Sequence, residues 1–242
     1  MISANSRPRY ELKPGRFSSH GRILRLAAAW ARTDRILEVG TATGYLGREL
    51  RRLGFTELVG LDVDPSFAEI AKPQYSDYFV VDLEEASLPD RVRDFDVLLC
   101  ADVLEHLRDP QVALGALARR VKPGGRVIVS VPNVANWTLR LSLLAGRFTY
   151  RDRGLLDRGH VRFFTYRTAR ELIEGAGCAI ERCEPTAIPL TYVLGETVPV
   201  GIARAAEAAY FGASLAWKRL FAYQFVFVAR LEATRQVSKA RA

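Results

Sequence analysis

The alternation of short apolar segments with amphipathic ones is the feature of this sequence that most restricts its fold. Strand-like runs such as RILEV, ELVGLD, DYFVV, FDVLLCA and RVIVSV are separated by stretches with helical periodicity. A helix between two parallel strands must pack back onto the sheet, so helices come to cover both of its faces. The sequence therefore predicts a doubly wound α/β fold with a mostly parallel sheet.

Helix boundaries within this pattern are marked by capping and breaking residues. Ser18 or Ser19 is a suitable N-cap for a first helix, and Pro65 and Pro110 can each open a later one. The segment VKPGG predicts a break between a helix and the next strand, because proline ends a helix and glycine permits the turn.

Residues 133–164 interrupt the alternation with a predicted helix, NVANWTLRLSLLAG, and a loop rich in Arg and aromatic residues. Thr165 then predicts the N-cap of a helix that runs to about Gly175, and CAIERCE resumes as a strand. An Ala-rich helix near 200–221 and a final strand, YQFVFVAR, complete the pattern.

Composition narrows the classes of protein to consider. The formal charge of +8 suggests an anionic partner, but the 35 basic residues are mostly Arg and are spread along the chain, which argues against nucleic-acid binding. Every apolar run is interrupted by a charged residue before it could cross a bilayer, so we expect no membrane span. The N-terminal MISANSRPRYELKPG lacks the apolar core of a secretion signal.

The three cysteines suggest a reducing environment. Cys100, Cys178 and Cys183 form no CxxC pair, and any disulfide scheme leaves one thiol over, which favours a cytoplasmic location. Cys178 and Cys183 are an odd number of residues apart, so on a regular strand they point to opposite faces.

We expect one domain with irregular ends. Residues 1–17 carry few apolar positions and two prolines and are interpreted as an N-terminal arm. Residues 18–232 form the domain, with 133–164 as an insertion, and the charged residues 233–242 are expected to be a flexible tail.

The segment ILEVGTATGYLGRELRRLG runs an apolar strand into three glycines and then into a helix. Such a loop presents backbone N–H groups to the carboxyl end of the sheet, where nucleotides and related molecules bind. The dinucleotide fingerprint GxGxxG fails here, because Ala42 and Tyr45 occupy its second and third glycine positions. A tight connection that binds no ligand is the alternative interpretation.

Polar residues recur at the ends of four successive predicted strands. Glu38 ends the first, where a buried carboxylate needs a donor or a cation nearby. Asp62 lies 22 residues beyond Gly40, a spacing typical of a carboxylate that binds ribose hydroxyls, and both NAD and S-adenosylmethionine carry that ribose. Asp64 is better explained as a helix cap before Pro65. After the third strand Asp82 could accept from an adenine amino group or simply begin a loop, and CADVLEHL follows the fourth strand.

Together these segments resemble the class I S-adenosylmethionine-dependent methyltransferases. The resemblance rests on EVGTATG, the acidic residue that closes the second strand, Asp82, FDVLLCADVLEHL and KPGGRVIVSVPN. It is strongest to the small-molecule branch, which includes ubiquinone-biosynthesis enzymes and methyltransferases of polysaccharide and secondary metabolism. It covers about residues 18–184 and implies a Rossmann-like, seven-stranded sheet with one antiparallel strand, here YQFVFVAR.

The resemblance implies that the cofactor is S-adenosylmethionine, with S-adenosylhomocysteine as its product. The implied cofactor residues are Gly40, Thr41, Ala42 and Gly44 at the methionine part, Glu38 at the loop or the ammonium group, Asp62 with Val63 at the ribose, Asp82 and Leu83 at the adenine, and Ala101, Asp102 and Val103 near the sulfonium. Many members have glycine where Ala42 stands. Because its methyl group favours the backbone shapes allowed to L-residues, we expect the loop to differ slightly.

Methyl transfer to a hydroxyl is helped by a base, and histidine is suited to this role near neutral pH. His160, in the insertion, is interpreted either as that base or as a packing residue. His106 follows Glu105, a pair that faces the acceptor or a metal in some relatives, although a locally bonded helix-start histidine is the favoured interpretation. His20, on the first predicted helix, is interpreted as structural or as a minor lid contact, and no metal ligand is assigned.

The insertion also places six arginines among five aromatic residues. They are Arg140, Arg147, Arg151, Arg153, Arg158 and Arg162, with Trp137, Phe148, Tyr150, Phe163 and Phe164. Such a group can recognise a phosphate or carboxylate while it stacks on a ring, but a solvated face is the favoured interpretation.

The sequence predicts O-methylation of a small molecule, such as a sugar or secondary metabolite, which could be anionic or glycosylated. The Ala-rich helix could complete the core, pair with a second subunit or lie on a membrane surface, core packing being the default. The alternatives are an NAD-dependent dehydrogenase, a cofactor-binding module without catalysis, and an RNA methyltransferase.

Overall fold

A seven-stranded sheet lies at the centre of the fold. The computed structural model describes residues 15–85, 87–193 and 197–232. The strands are β1 (Ile36–Val39), β2 (Leu58–Asp62), β3 (Asp77–Val80), β4 (Phe95–Ala101), β5 (Val121–Pro132), β6 (Cys178–Pro185) and β7 (Gln224–Leu231). Their order across the sheet is β3-β2-β1-β4-β5-β7-β6. Because β7 runs antiparallel to both of its neighbours while β1 to β5 are parallel, the predicted fold class is confirmed.

The helices lie on both faces of the sheet. They are α1 (Ser19–Ala27), α2 (Tyr45–Arg52), α3 (Ala68–Ala71), α4 (Pro110–Ala118), α5 (Trp137–Leu144), α6 (Tyr166–Gly175), α7 (Leu190–Val193), α8 (Val200–Ala216) and α9 (Lys218–Phe221). The predicted caps are present: the Ser18 hydroxyl accepts from the Gly21 N–H, and Thr165 forms a capping box with Thr168. No helix in the described part of the chain is both long and apolar enough to cross a membrane.

Two predicted helices are interrupted. The helix expected after Pro65 is a 3₁₀ turn at Pro65–Phe67, then α3, then a second 3₁₀ turn at Lys72–Gln74 that contains Pro73. A proline has no N–H to donate and does not continue an α-helix. The Ala-rich helix divides into α8 and α9 at Trp217, whose backbone is not helical.

The predicted break at VKPGG lies inside β5. Val121 pairs with Phe95, and the next pair joins Arg126 to Val97, so residues 122–125 form an irregularity on the β5 side. Gly124 has a φ of +76° within it, a backbone conformation that glycine adopts readily.

The prediction that Cys178 and Cys183 point to opposite faces is wrong. Ile180 pairs with Ala229 and Arg182 pairs with Val228, so Glu181 is an extra residue in the ladder. Such a bulge reverses the alternation of side chains beyond it. Both cysteines consequently lie in the same core layer, and all three cysteines of the chain are buried and free.

Two apolar layers cover the sheet. One face of the sheet contributes side chains such as Leu37 and Val129, and it is covered by α4 and α6. The other face contributes side chains such as Ile36 and Leu99, and it is covered by α1 and α2. The alternation along β1 therefore serves both layers, as expected for a sheet covered by helices on both sides.

Two buried asparagines fasten the start of the insertion to the end of the helical segment before β7. The Asn133 and Asn136 amides both donate to the Ala222 carbonyl, at 2.9 and 3.0 Å. Asn136 also accepts from the Thr138 N–H and so caps α5. Both side chains are fully buried, so their hydrogen bonds are made away from water.

The predicted arm lies outside the described residues up to position 14. Phe17, at its end, stacks on Phe211 of α8 with 4.4 Å between ring centroids. The predicted tail, 233–242, lies entirely outside the described residues. The domain boundaries therefore stay a prediction.

Replacing Asn136 tests this fastening. We expect Asn136→Ala to lower the free energy of unfolding by about 1–3 kcal/mol, because it removes a helix cap and buried amide hydrogen bonds together. Ser142→Ala is the matched control, since it removes one hydrogen bond at the surface, to the Arg147 carbonyl. Denaturant unfolding measures both; equal losses for the two variants would contradict the role of Asn136.

Candidate active site

The carboxyl ends of the parallel strands border a cavity of about 820 Å³. Small-molecule sites typically have volumes of about 300–1,000 Å³. Nine of the twelve predicted cofactor residues border it: Gly40, Ala42, Asp62, Val63, Asp82, Leu83, Ala101, Asp102 and Val103. Both predicted catalytic residues, His106 and His160, border the same cavity. The structure thus brings the ends of β1 to β4 together with the histidines.

The glycine loop after β1 borders the cavity with main-chain atoms, because Gly40 has no side chain. Gly40 has a φ of +71°, and a Cβ added to it would lie only 2.4 Å from Cγ2 of Val103. Gly44, which caps α2, has a φ of +72°. A left-handed backbone favours glycine at both positions, and at Gly40 a side chain would also collide with Val103.

Ala42 departs from the expectation that its methyl group would keep the loop in ordinary backbone conformations. Its φ is +45°, in the left-handed region. The Asp62 carboxylate accepts from the Ala42 N–H at 2.7 Å, and this bond holds the conformation. Left-handed backbone at a non-glycine residue costs on the order of 1–2 kcal/mol. The loop therefore takes the glycine-like shape despite the alanine.

Asp62 fixes two segments of backbone at once. Its Oδ2 bonds Ala42, and its Oδ1 accepts from the Asp64 N–H at 2.9 Å. Asp64 caps the 3₁₀ turn that follows, since it accepts from the Ser66 N–H, which is the role assigned to it from the sequence. Asp82 makes a similar local turn with the Glu84 N–H, and its side chain still borders the cavity.

Three predicted cofactor residues do not border the cavity: Glu38, Thr41 and Gly44. Thr41 is fully buried, and its hydroxyl bonds Tyr78 at 3.1 Å. Glu38 points into the layer beneath α2, where the Tyr75 hydroxyl donates to its carboxylate at 3.0 Å. Burial raises the pKa of Glu38 to about 8, although the Tyr75 hydrogen bond opposes the shift and Asp62 adds to it. The sequence predicted a donor or a cation beside this buried carboxylate, and the structure shows that Tyr75 is the hydrogen-bond donor.

Asp102 is anchored by residues that the sequence analysis did not connect with it. It has a φ of +58° directly after β4. Its carboxylate accepts from Ser130 at 2.5 Å, Gln224 at 3.0 Å and Ser19 at 3.2 Å. These donors come from β5, β7 and the start of α1, and no local sequence signal links positions so far apart.

The histidine pair lies at another part of the cavity wall. The His106 and His160 rings are 4.9 Å apart at an angle of 71°. The Nδ1 of His106 lies 2.9 Å from the Gly159 carbonyl, and that of His160 lies 3.3 Å from the Leu155 carbonyl. A carbonyl only accepts, so the Nδ1 of each ring carries a hydrogen, and in the neutral tautomer the lone pair is then on Nε2. Burial lowers the pKa of His160, and the neighbouring His106 lowers it further, so the neutral ring is favoured.

The arginines of the insertion do not act as one patch. Arg151 and Arg153 border the cavity. Arg158 pairs with Asp152 at 2.9 Å, whereas Arg140 and Arg162 donate to backbone carbonyls. The aromatic residues divide as well: Phe148, Tyr150 and Phe163 contact one another at the surface, and Phe164 is buried in the core.

Comparison with known proteins agrees with this geometry. Residues 15–182 match the family model described as "Methyltransferase domain". The chain belongs to this methyltransferase family. The predicted membership of the class I S-adenosylmethionine-dependent methyltransferases is confirmed, and S-adenosylmethionine is its cofactor, as predicted.

Individual relatives share sequence or structure with this chain. It is 30% identical over 159 residues to a ubiquinone biosynthesis O-methyltransferase of Xanthomonas oryzae pv. oryzae, which covers 63% of this chain. The chain spans 62% of the length of that relative. An S-adenosylmethionine-dependent methyltransferase from Mesorhizobium loti has the same fold, with a TM-score of 0.60 at 18% identity over 88% of this chain and 98% of that one.

A second solved structure contains S-adenosyl-L-homocysteine, the product formed when S-adenosylmethionine gives up its methyl group. The N-methyltransferase NodS from Bradyrhizobium japonicum, in complex with S-adenosyl-L-homocysteine, matches with a TM-score of 0.56 and 17% identity over 88% of this chain and 86% of that one. The similarity of the methyltransferase to both structures establishes the fold.

The buried carboxyl of Glu38 makes stability depend on pH. Its folded pKa lies above the ordinary 4.5, so the folded protein binds the proton more tightly, and stability falls as the pH rises from about 5 to about 8. In wild type we expect the free energy of unfolding to fall by up to about 1.4 kcal/mol per pH unit across this range. Glutamine does not titrate, so Glu38→Gln should abolish this fall.

Denaturant unfolding at several pH values in this window measures the effect. Glu57→Gln, at an exposed glutamate, is the control and should follow the wild-type curve. Parallel curves for wild type and Glu38→Gln would show that Glu38 does not titrate in this range.

Proposed function

We propose that this methyltransferase transfers the methyl group of S-adenosylmethionine to a hydroxyl of a small molecule. The observation that carries the proposal is a single cavity bordered by the glycine loop, by Asp62 and by the histidine pair. A cofactor and an acceptor could therefore bind next to each other in this cavity. The relative from Xanthomonas oryzae, named as an O-methyltransferase, supports oxygen as the acceptor atom.

The residues around the cavity fit the cofactor. The volume of about 820 Å³ accommodates an adenosyl group together with a small acceptor. The loop at Gly40 offers backbone that a side chain would obstruct, since an added Cβ would lie 2.4 Å from Val103. Carboxylates at the ends of β2 and β3 offer acceptors for hydroxyl and amino groups.

Each predicted residue then has a proposed task. The backbone at Gly40 and Ala42 would contact the methionine part, and Asp62, with Val63 beside it, would hold the ribose. Asp82 and Leu83 would contact the adenine. The wall near the reacting methyl group would be Ala101, Asp102 and Val103. Glu38, Thr41 and Gly44 lie away from the cavity, so they would act by fixing the shape of the loop.

When bound, the cofactor supplies an already activated methyl group, so the protein's main task is alignment, which contributes on the order of 7–11 kcal/mol. An acceptor hydroxyl must also lose its proton as the new bond forms. The Nε2 lone pair of His160 can take that proton, because the Nδ1 hydrogen faces the Leu155 carbonyl. His106, in contact with it, holds a second imidazole at the same wall.

The proposed acceptor is small and carries a negative charge or a sugar. Arg151 and Arg153 border the cavity and could pair with a carboxylate or phosphate. A small acceptor, rather than nucleic acid, fits the spread of basic residues along the chain. The three free cysteines fit a cytoplasmic enzyme, and the exposed Leu215 and Trp217 could serve a homodimer contact.

Substitution of Asp62 tests the cofactor site. We expect wild type to bind S-adenosylhomocysteine in the micromolar range and Asp62→Ala to lose at least about tenfold, because hydrogen bonds to a charged group are lost. Asp62→Asn keeps an oxygen for the Ala42 N–H and should lose less. Calorimetry measures all three, with Asp90→Asn as the matched control that should bind like wild type, because Asp90 is exposed and lies outside the cavity lining. Equal affinity in wild type and Asp62→Ala would remove Asp62 from the site.

Substitution of His160 tests the acceptor side. We expect His160→Ala to lower turnover by about 10²–10⁴-fold while S-adenosylhomocysteine still binds, because the proton acceptor is removed and the proposed contacts at Asp62 and Asp82 are kept. The measurement is S-adenosylhomocysteine release with a panel of hydroxylated acceptors. His20→Gln is the control, since His20 lies on α1 outside the cavity lining.

Unchanged turnover in His160→Ala would return His160 to a packing role. Cofactor binding by wild type without turnover on any acceptor would favour the alternative of a module without catalysis.

A further inference from the structure

A second cavity, of about 600 Å³, lies between helix α4 and the segment that joins β3 to β4. Leu83 and Leu88 border it on the side of that segment, and Ala113 and Ala116 border it on the side of α4. Small-molecule sites typically have volumes of about 300–1,000 Å³. The cavity is therefore large enough for a ring with a few substituents, and the proposed function assigns no ligand to it.

Apolar side chains form the base of this second cavity. Leu88 and Ala113 are buried, and Leu88 belongs to the core layer that α4 and α6 cover. Ala116 lies one turn after Ala113 on α4, and its methyl group leaves space that a larger side chain would occupy. The apolar part of a ligand would be removed from water here, which favours its binding.

The rim of the second cavity carries an excess of positive charge. Arg93, Arg119 and Arg120 border it, against one carboxylate, that of Asp94. Arg93 lies 3.6 Å from that carboxylate, and Arg120 donates to the Leu88 carbonyl at 3.1 Å. The Arg119 guanidinium makes no ion pair within the described part of the chain. It is therefore available to an anionic ligand.

Leu83 connects the second cavity with the candidate active site, because it borders both cavities. The neighbouring Glu84 accepts from the N–H groups of Arg108 and Asp109 and so fastens this segment to the start of α4. A molecule in the second cavity thus contacts a residue that, under the proposed function, also contacts the adenine of the cofactor.

We propose that the second cavity binds a small anionic molecule with an apolar body, such as an aromatic carboxylate, and that its binding changes the affinity for the cofactor. The apolar body lies against Leu88 and Ala116. The anion pairs with Arg119, since a guanidinium presents its N–H donors in a geometry that matches a carboxylate. The coupling rests on the proposed function, because it passes through Leu83 at the proposed adenine contact.

The test is fluorescence titration of the full chain with 8-anilinonaphthalene-1-sulfonate, an apolar anion that reports binding to apolar surface. The titration is made with and without saturating S-adenosylhomocysteine. We expect one saturable site, whose affinity for the probe S-adenosylhomocysteine changes by a fixed factor of at least about five, since coupling between sites is typically that large. By linkage, the probe changes the affinity for S-adenosylhomocysteine by the same factor.

Two substitutions locate the bound probe. Ala116→Phe fills the cavity and should weaken binding at least about tenfold. Its matched control is Val112→Phe, at an exposed position of the same helix outside the cavity lining. Arg119→Gln should weaken binding about two- to tenfold, because an exposed ion pair is partly screened by water. Arg204→Gln, at an exposed arginine of α8, should bind like wild type.

Absence of probe binding in wild type, or unchanged binding in Ala116→Phe or in Arg119→Gln, would overturn the proposal. So would a loss of affinity that keeps growing as S-adenosylhomocysteine is added, because the probe would then compete in the active site. If Ala116→Phe does not fold, Arg119→Gln still decides the outcome, since that residue is exposed.

Two further outcomes separate this inference from the proposed function. Probe binding in the second cavity that S-adenosylhomocysteine leaves unchanged defeats the coupling alone. Calorimetry with S-adenosylhomocysteine in the absence of the probe tests the proposed function by itself. Failure of wild type to bind it defeats that function and leaves the ligand site in the second cavity.

Discussion

The hydrogen bond from the Ala42 N–H to the Asp62 carboxylate is the contact on which the proposed cofactor side of the cavity depends. It joins the loop after β1 to the end of β2 and holds a non-glycine residue at a φ of +45°. The neighbouring Gly40 can then present its backbone to the cavity, against Val103 from the end of β4. One carboxylate thus organises three strand ends, and its own position follows from the parallel register of β1 and β2.

The two sides of the cavity are built differently. The cofactor side consists of the ends of successive parallel strands, which any doubly wound sheet brings to one edge. The proposed acceptor side consists of an insertion that follows β5 and has no sheet to position it. Backbone hydrogen bonds from Val161 and Arg162 to the Glu105 carbonyl attach it instead to the turn after β4. If the proposed assignment holds, changes in the insertion would alter the acceptor while the proposed adenosyl contacts remain.

This difference explains what the sequence could predict. Strand-helix alternation and capping residues such as Thr165 are local signals, and they predicted the fold class. The antiparallel strand and most of the cofactor residues that border the cavity were implied by the resemblance to the class I methyltransferases. The bulge at Glu181 and the left-handed Ala42 have no local signal, because each is stabilised by partners distant in sequence. For Glu38 the sequence predicted the need for a donor but not that Tyr75 supplies it.

The anchoring of Asp102 has a consequence for how the protein acquires its site. Two of its donors, Ser19 and Gln224, are 83 and 122 residues away along the chain. Contacts between distant segments form late, since the entropy of closing long loops must be overcome first. A partly synthesised chain that has completed β1 to β4 already contains the glycine loop, but its cavity wall at Asp102 stays unfinished. Binding competence is therefore expected to arise only when β7 inserts between β5 and β6, as the last step of folding.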